Sequence, residues 1–237
     1  MEQFLKDATI AASAADLWDA FVRHMKAHGI FLITYVQFAA GSVAPGRIWG
    51  VLPTFPDDWL ERYEAGLWEA DPVRSMAAFL PAPFRWRDIE ERHNLSPEEK
   101  AFKAEIVHHG VPLDGLIVPV FGYGNRNGYV AFARPDGGLD LPAVQLAEYR
   151  VVCQYLHQRS CELVPPEETS SAPLSKREKE VLRWVARGKS NSVIAEILGV
   201  SANTVDTHLR RIYHKLNVCD RVSAALAGIS KGMITLD

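Results

Sequence analysis

Residues 175 to 232 read SKREKEVLRWVARGKSNSVIAEILGVSANTVDTHLRRIYHKLNVCDRVSAALAGISKG, and the punctuation of this stretch leaves it few ways to fold. Ser175 with Glu178 three residues on forms a reciprocal capping box, and Val181, Leu182, Val185 and Ala186 then mark one face before Gly188 ends the helix. Ser190 caps a second helix carrying Ile194, Ala195, Ile197 and Leu198, Gly199 supplies the positive φ of a tight turn, and Ser201 caps a third helix. In that third helix Val205, Leu209, Ile212 and Leu216 recur at one-face spacing and must look into a small core. With a fourth helix after them, these segments form a helix-turn-helix module. Asn203, Asp206, Thr207, Arg210, Arg211 and His214 are left pointing outward, and their amide, hydroxyl and guanidinium groups suit base edges and phosphates.

Periodicity alone would also fit a four-helix domain whose polar face is merely solvated. Charge separates the two readings. Residues 173–237 carry eleven Lys and Arg against six Asp and Glu, a net of +5, so residues 1–172 carry fifteen against twenty-three, a net of −8. A basic module on an acidic partner is the footprint of a nucleic-acid reader tethered to a second domain. The strings LSKREKEVLRWVARGKSN and IAEILGVSANTVDTHLRRIYHKLNV, with Glu178, Leu182, Gly188, Thr204-Val205, His208 and Lys215-Leu216, closely resemble the DNA-binding domain of LuxR-type and NarL-type regulators. Double-stranded DNA is the partner this implies, with Lys189, Asn203, Thr204, Thr207, Arg210, Arg211, His214 and Lys215 as the candidate contacts. Asp206 departs from the family, whose members often carry a basic residue there; an acid could accept from cytosine N4 or weaken a phosphate contact.

At 237 residues, the chain has room for one further domain with its own core. The expected division is a ligand-binding domain over 1–160, a connector over 161–173 and the helix-turn-helix over 174–237. CELVPPEETSSAPLS, from residue 161, has three prolines and no periodic apolar face, as an exposed linker should. Cys153, Cys161 and Cys219 form neither a C-x-x-C pair nor an even framework, so reduced thiols are expected. The first residues lack a signal-peptide core, and the longest apolar run, Leu116 to Phe121, is too short to span a bilayer. A cytoplasmic protein without membrane contact is the expectation.

In the first domain, Ser13 with Asp16 opens a helix whose stripe is Leu17, Trp18, Phe21, Val22 and Met25, ended by Gly29. Strands follow at 30–38 and 47–52, and GLIVPVFG and GYVAFA flank the turn Tyr123 to Gly128. Two hairpins imply an antiparallel sheet. Helices are expected from Pro56, Pro72, Pro97 and Pro142, each proline placed at a first turn. The fold class is therefore α+β: an α-β-α sandwich followed by an all-α module. Hairpins exclude the alternating strands and crossover helices of a receiver or dinucleotide-binding domain, and the glycines of 122–128 have neither phosphate-loop spacing.

Trp59 and Tyr63, four apart, share a helix face near Phe55, with Asp71-Pro72 and Trp86 further on. Rings around one carboxylate make an apolar pocket with one strong acceptor, suited to an amphiphile bearing one N–H. They equally suit a structural arrangement in which Asp71 caps the helix at Pro72 and the rings are core. FPDDWLERY, DPV, FRW and HHGVPLDGLIVP are similar to the autoinducer-binding domain of LuxR-type quorum-sensing regulators, which sense N-acyl homoserine lactones. The resemblance implies that Trp59 donates its indole N–H to the lactone carbonyl, that Asp71 accepts the ligand amide N–H, and that Tyr63 and Trp86 wall the pocket. Phe55, Val73 and Ala131 complete the ligand-binding candidates. Capping and ligand roles for Asp71 can coexist, since a carboxylate has two oxygens.

Three departures stand out. Phe55 replaces a Tyr that in many relatives donates to the acyl carbonyl; the Tyr63–Asp71 interval is one residue short and the Gly110–Gly115 stretch one long; and Tyr129 to Ala133 holds no Ser or Thr for a 3-oxo or 3-hydroxy group. The last favours an unsubstituted or differently built acyl chain. No catalytic constellation, metal site or cofactor is expected, since His24, His28, His93, His108 and His109 are scattered and the adjacent pair diverges on a helix. The reading is a ligand-responsive transcription regulator acting as a homodimer on a palindromic site, dimerised through the sandwich and its last helix. Its rivals are a regulator of the same build answering a non-lactone metabolite or no ligand, and a lactone hydrolase fused to a DNA-binding tail with Asp71 as base.

Overall fold

The computed structural model describes residues 1–38, 45–51, 58–123, 126–137, 139, 141–164 and 173–235. They fall into two compact units, Met1–Val164 and Pro165–Asp237. Phe55 and the helix start expected at Pro56 lie outside the described residues.

The first unit opens with α1 (Glu2–Ile10) and α2 (Ala14–Ala27). Ser13 caps α2 by accepting from the Asp16 N–H at 3.1 Å. Strands β1 (Leu32–Phe38) and β2 (Pro45–Val51) form the first hairpin. A helical layer follows: α3 (Trp59–Glu64), a 3-10 turn over Leu67–Ala70, and α4 (Pro72–Phe79). Next come the short β3 (Phe84–Arg85), a 3-10 turn over Trp86–Asp88, α5 (Ile89–Arg92) and α6 (Pro97–His108), which starts in the capping box of Ser96 and Glu99. Strands β4 (Leu116–Val120) and β5 (Gly128–Ala133) form the second hairpin, and α7 (Ala143–Leu163) closes the unit. Pro142 is the N-cap of α7 rather than a residue of its first turn, and α7 runs through residues 161–163, which the sequence assigned to the connector.

All strand pairs are antiparallel, in the order β2-β1-β5-β4-β3. The period of two sorts the side chains onto two cores. Ile33, Tyr35, Val118, Val120, Val130 and Phe132 pack under α1, α2 and α7, whereas Val36, Phe38, Ile117 and Tyr129 face the layer from α3 to α6. Gly128 lies so close to the Val36 carbonyl that a Cβ there would collide with backbone. That contact is what lets β5 pair beside β1.

The second unit contains α8 (Lys176–Ala186), α9 (Asn191–Leu198), α10 (Ala202–Leu216) and α11 (Arg221–Ser230). Ser175, Ser190, Ser201 and Asp220 cap them in turn. Gly199 has φ +65°, the left-handed conformation that turns α9 into α10. Val205, Leu209, Ile212 and Leu216 are all buried with Val181, Leu182, Val185 and Ile194, whereas Ile197 of α9 is exposed.

Candidate functional site

Between the sheet and the α3–α6 layer lies a cavity of about 260 Å³. Trp59, Tyr63, Asp71, Val73, Trp86 and Ala131 all line it, so every described candidate for ligand contact converges on one space. Each arrives by a different route: Trp59 and Tyr63 from one face of α3, Asp71 and Val73 from the start of α4, Trp86 from the turn after β3, and Ala131 from β5.

The rings pack as a wall. Trp59 lies 6.4 Å from Tyr63 and 6.0 Å from Phe102 between ring centroids, and Phe102 stacks on Trp86 at 6.3 Å. Arg62 covers Trp59 from outside, 5.9 Å from its ring centroid, and is held there by Glu105 at 2.7 Å. Phe102 and Tyr129 are members of this site that the sequence reading did not single out; each reads there only as an apolar residue of a regular element.

Asp71 is buried and does two jobs. Its Oδ1 accepts from the Val73 N–H at 2.9 Å, capping α4, while its Oδ2 accepts from the Tyr63 hydroxyl at 2.6 Å and the Tyr129 hydroxyl at 3.1 Å. Burial pushes the Asp71 carboxyl up, against the opposing pull of those hydrogen bonds and the charge of Arg74. Burial, followed by the adjacent carboxylate, drives both tyrosines well above the usual phenol range, so they stay neutral donors. The cavity therefore presents an apolar wall with one carboxylate poised by two hydroxyls.

Thr34 also lines the cavity, opposite Ala131 across the β1–β5 ladder. The absence of Ser and Thr on β5 thus says less about the acyl chain than the sequence implied, because a hydroxyl is supplied from the neighbouring strand. Sequence alone could not pair β1 with β5, since the two are far apart in the chain.

In the second unit, Lys189, Asn203, Thr204, Thr207, Arg210, Arg211 and His214 are all exposed. Thr207 donates its hydroxyl to the Asn203 carbonyl at 2.9 Å, and Arg210 pairs with Asp206 at 2.9 Å. Lys215 differs from the other candidates. Its ammonium donates to the buried Glu178 carboxylate at 2.7 Å and to the Pro173 carbonyl at 3.1 Å, which makes it part of the module's internal structure. Burial would raise the Glu178 carboxyl, but Lys215 and the Ser175 cap outweigh it and hold the group below its ordinary value.

Among the described residues, no three His, Cys, Asp or Glu side chains gather as metal ligands, and no helix is long and apolar enough to cross a membrane. Cys153 is buried, Cys161 half-buried and Cys219 exposed, and all three are free thiols.

Two family models account for most of the chain: residues 13–160 match the autoinducer binding domain, and residues 172–227 match the luxR family of bacterial regulatory proteins. The chain belongs to the LuxR family. Members of this family are transcriptional regulators, not enzymes, which removes the hydrolase rival. Among relatives, the chain is 31% identical over 184 residues to a putative HTH-type transcriptional regulator of Sinorhizobium fredii, an alignment covering 77% of this chain and 56% of that relative. It is 29% identical over 189 residues to the transcriptional activator LuxR of Aliivibrio fischeri, covering 78% of this chain and 73% of the activator. In fold it is similar to Escherichia coli SdiA in complex with octanoyl-rac-glycerol, with a TM-score of 0.74 at 20% identity, covering 97% of this chain and 93% of that one. The chain is accordingly a LuxR-family regulator of quorum-sensing type with an α+β two-domain fold.

Proposed function

We propose that this regulator binds an N-acyl homoserine lactone-like amphiphile in the Asp71 cavity and, as a homodimer, a palindromic DNA site through α10. The observation that carries the reading is Asp71 itself: a buried carboxylate in the wall of a cavity lined by Trp59, Tyr63 and Trp86. An acyl amide offers such a site one N–H donor and an apolar tail. Trp59 takes the head-group carbonyl by analogy with the family, Asp71 takes the amide, and Val73, Phe102 and Ala131 receive the chain. At about 260 Å³ the cavity lies at the small end of ligand pockets, which favours a short or compact acyl group. The division into a sensor that ends with α7 at Leu163, a connector from there to residue 173 and a DNA reader over 174–237 belongs to this reading, with a cytoplasmic location.

A second reading has its own observation. Both Asp71 oxygens already accept hydrogen bonds, so a regulator answering a non-lactone amphiphile, or none, would also use this geometry. The structural neighbour SdiA in complex with octanoyl-rac-glycerol supports an acyl ligand without a lactone ring.

Asp71→Asn separates the roles. An Asn side-chain oxygen can still accept from the Val73 N–H, so the α4 cap survives, but the anionic acceptor is lost. For the full-length protein at about one hundred times Kd, a ligand specific for the folded state adds ~2.7 kcal/mol and raises the melting temperature. Acyl homoserine lactone should produce that rise in wild type and little of it in Asp71→Asn. An unchanged ligand-induced rise in the variant would reduce Asp71 to a helix cap.

A further inference from the structure

Tyr129 reaches Asp71 from the sheet side of the cavity, whereas Tyr63 stands on α3 and Asp71 at the cap of α4. β5 is paired on both edges, with Tyr129 opposite Val36 of β1 and Pro119 of β4, and the Phe38 ring centroid lies 5.9 Å from that of Tyr129. The ring is thus fixed by backbone pairing and packing, and the readiest motion left to the side chain is rotation of its hydroxyl. A carboxylate oxygen has two lone pairs, and Asp71 Oδ2 uses both, on the Tyr63 hydroxyl at 2.6 Å and the Tyr129 hydroxyl at 3.1 Å. Oδ1 accepts from the Val73 N–H and keeps one lone pair beside the α4 cap. An N–H that enters the cavity therefore meets an Oδ2 already filled by two donors of the protein itself. The two bonds are unequal. Tyr129 makes the longer one, and its hydroxyl oxygen lies 3.4 Å from that of Tyr63. Because Tyr63 gives its proton to Asp71, its own oxygen has lone pairs left to accept one. The Tyr129 hydroxyl can turn from Asp71 to Tyr63 and leave no buried donor unmet.

We propose that Tyr129 is a built-in competitor for the ligand amide: in the empty cavity its hydroxyl holds the Asp71 lone pair that the ligand N–H takes, and on binding it turns to the Tyr63 oxygen. This rests on the reading that the Asp71 cavity binds an acyl amide, and it adds how the buried carboxylate is satisfied when no ligand is there. The exchange replaces a charge-assisted hydrogen bond within the protein by a neutral one, so it opposes binding of any ligand that donates an N–H to Asp71. A ligand without an N–H leaves the Tyr129 bond in place and meets no such opposition. The competition therefore sets affinity by the chemistry of the ligand's linkage, independently of the length or substitution of its chain.

The test compares full-length wild type with Tyr129→Phe, which keeps the ring and deletes the hydroxyl. Affinities are measured by tryptophan fluorescence for hexanoyl homoserine lactone and for its ester analogue, in which oxygen replaces the amide N–H. Tyr129→Phe should melt at a lower temperature without ligand, yet bind the amide about 5-fold more tightly than wild type does, with its affinity for the ester unchanged. The amide-to-ester ratio is the deciding readout, because a general change in packing or cavity size moves both ligands alike. A ratio equal in the two proteins, as it would be if the amide used the remaining lone pair of Oδ1, overturns the proposal while leaving the acyl-amide reading standing. A ratio that falls in Tyr129→Phe also overturns it, since the hydroxyl would then be a partner of the ligand. Should Tyr129→Phe not fold, 3-fluorotyrosine placed at position 129 decides the matter: its more acidic hydroxyl donates more strongly to Asp71, so the ratio should drop below that of wild type, and an unchanged or higher ratio overturns the proposal. Wild type that responds to neither ligand sinks the acyl-amide reading and takes this proposal with it.

Discussion

His157 makes the clearest case of a single side chain whose environment fixes its chemistry. It is fully buried under the sheet, with Nδ1 2.8 Å from the Tyr35 hydroxyl and Nε2 2.6 Å from the Arg126 carbonyl. A carbonyl can only accept, so Nε2 carries the proton and Nδ1 accepts from Tyr35. Burial drives the imidazole from 6.5 down to about 4, a backbone hydrogen bond to Arg126 opposing and the Arg126 charge reinforcing it. The folded state therefore takes up this proton less readily than the unfolded chain. The stability tied to neutral His157 is fully present above pH 6.5 and is lost as pH falls toward 4, with a ceiling of ~3 kcal/mol. Denaturant unfolding of wild type should show this slope between pH 6.5 and 4, and His157→Gln should flatten it while costing stability at pH 7. An equal slope in the variant would assign the acid sensitivity to other groups. The histidines that the sequence brought forward did not include this one, because a sequence displays a titratable group without its burial. Asp71 was legible because Pro72 beside it marks a helix start and because it follows Trp59 and Tyr63 in strings that resemble the autoinducer-binding domain.

At the level of elements, what could be read was what is local. Caps and turn glycines act within four residues, so α8 to α10, their serines and Gly199 follow directly from the string. Non-local pairing could not be read: β1 finds β5 across most of the unit, and β3 is only two residues long. Helix α1 was missed because its buried face is just Phe4 and Ala8, too few positions to establish a period. Helix α10 adds a detail that charge counting hides, since Asp206 pairs with Arg210 one turn away at 2.9 Å. Both partners are well exposed, so the pair contributes only ~0.3–0.5 kcal/mol and yields readily to phosphate. Arg210→Ala and Arg211→Ala should each cost about 1–3 kcal/mol in operator affinity where the residue meets a base, or flatten the salt dependence by about one unit where it meets phosphate. Asp206→Ala should do the reverse, tightening binding across sequences and steepening that dependence. Titrations over a range of salt concentrations would check all three, and an Asp206→Ala protein that binds more weakly to one base pair alone would show that Asp206 reads cytosine instead.

At the scale of the whole molecule, charge and exposed apolar surface argue for two copies acting together. The +5 carried by residues 173–237 concentrates attraction for DNA in one small module, while the −8 of residues 1–172 keeps the rest of the chain from binding DNA indiscriminately. A single module of this size buries limited DNA surface, so a specific site calls for a pair of modules on half-sites about one helical turn apart. Each unit has apolar residues suited to such pairing. On α11, Val222, Leu226 and Ile229 are exposed at 66%, 62% and 36% and share one face at spacings of four and three. On α7, Val144 and Val151 are exposed seven residues apart, on the helix the sequence reading assigned to the dimer. A helix face of this kind left in water is unfavourable at roughly 25 cal/mol per Å² of apolar area, and a second copy would cover it. Leu226→Glu should therefore leave the fold intact, because the side chain is already exposed. It should weaken binding to an inverted repeat by about 10-fold or more and leave binding to an isolated half-site unchanged. Val151→Glu should instead lower the association seen by sedimentation without DNA if the sandwich supplies the main contact. Full-affinity footprints from a monomer on one half-site, with both variants indistinguishable from wild type, would show that the dimer is not how this chain reads DNA.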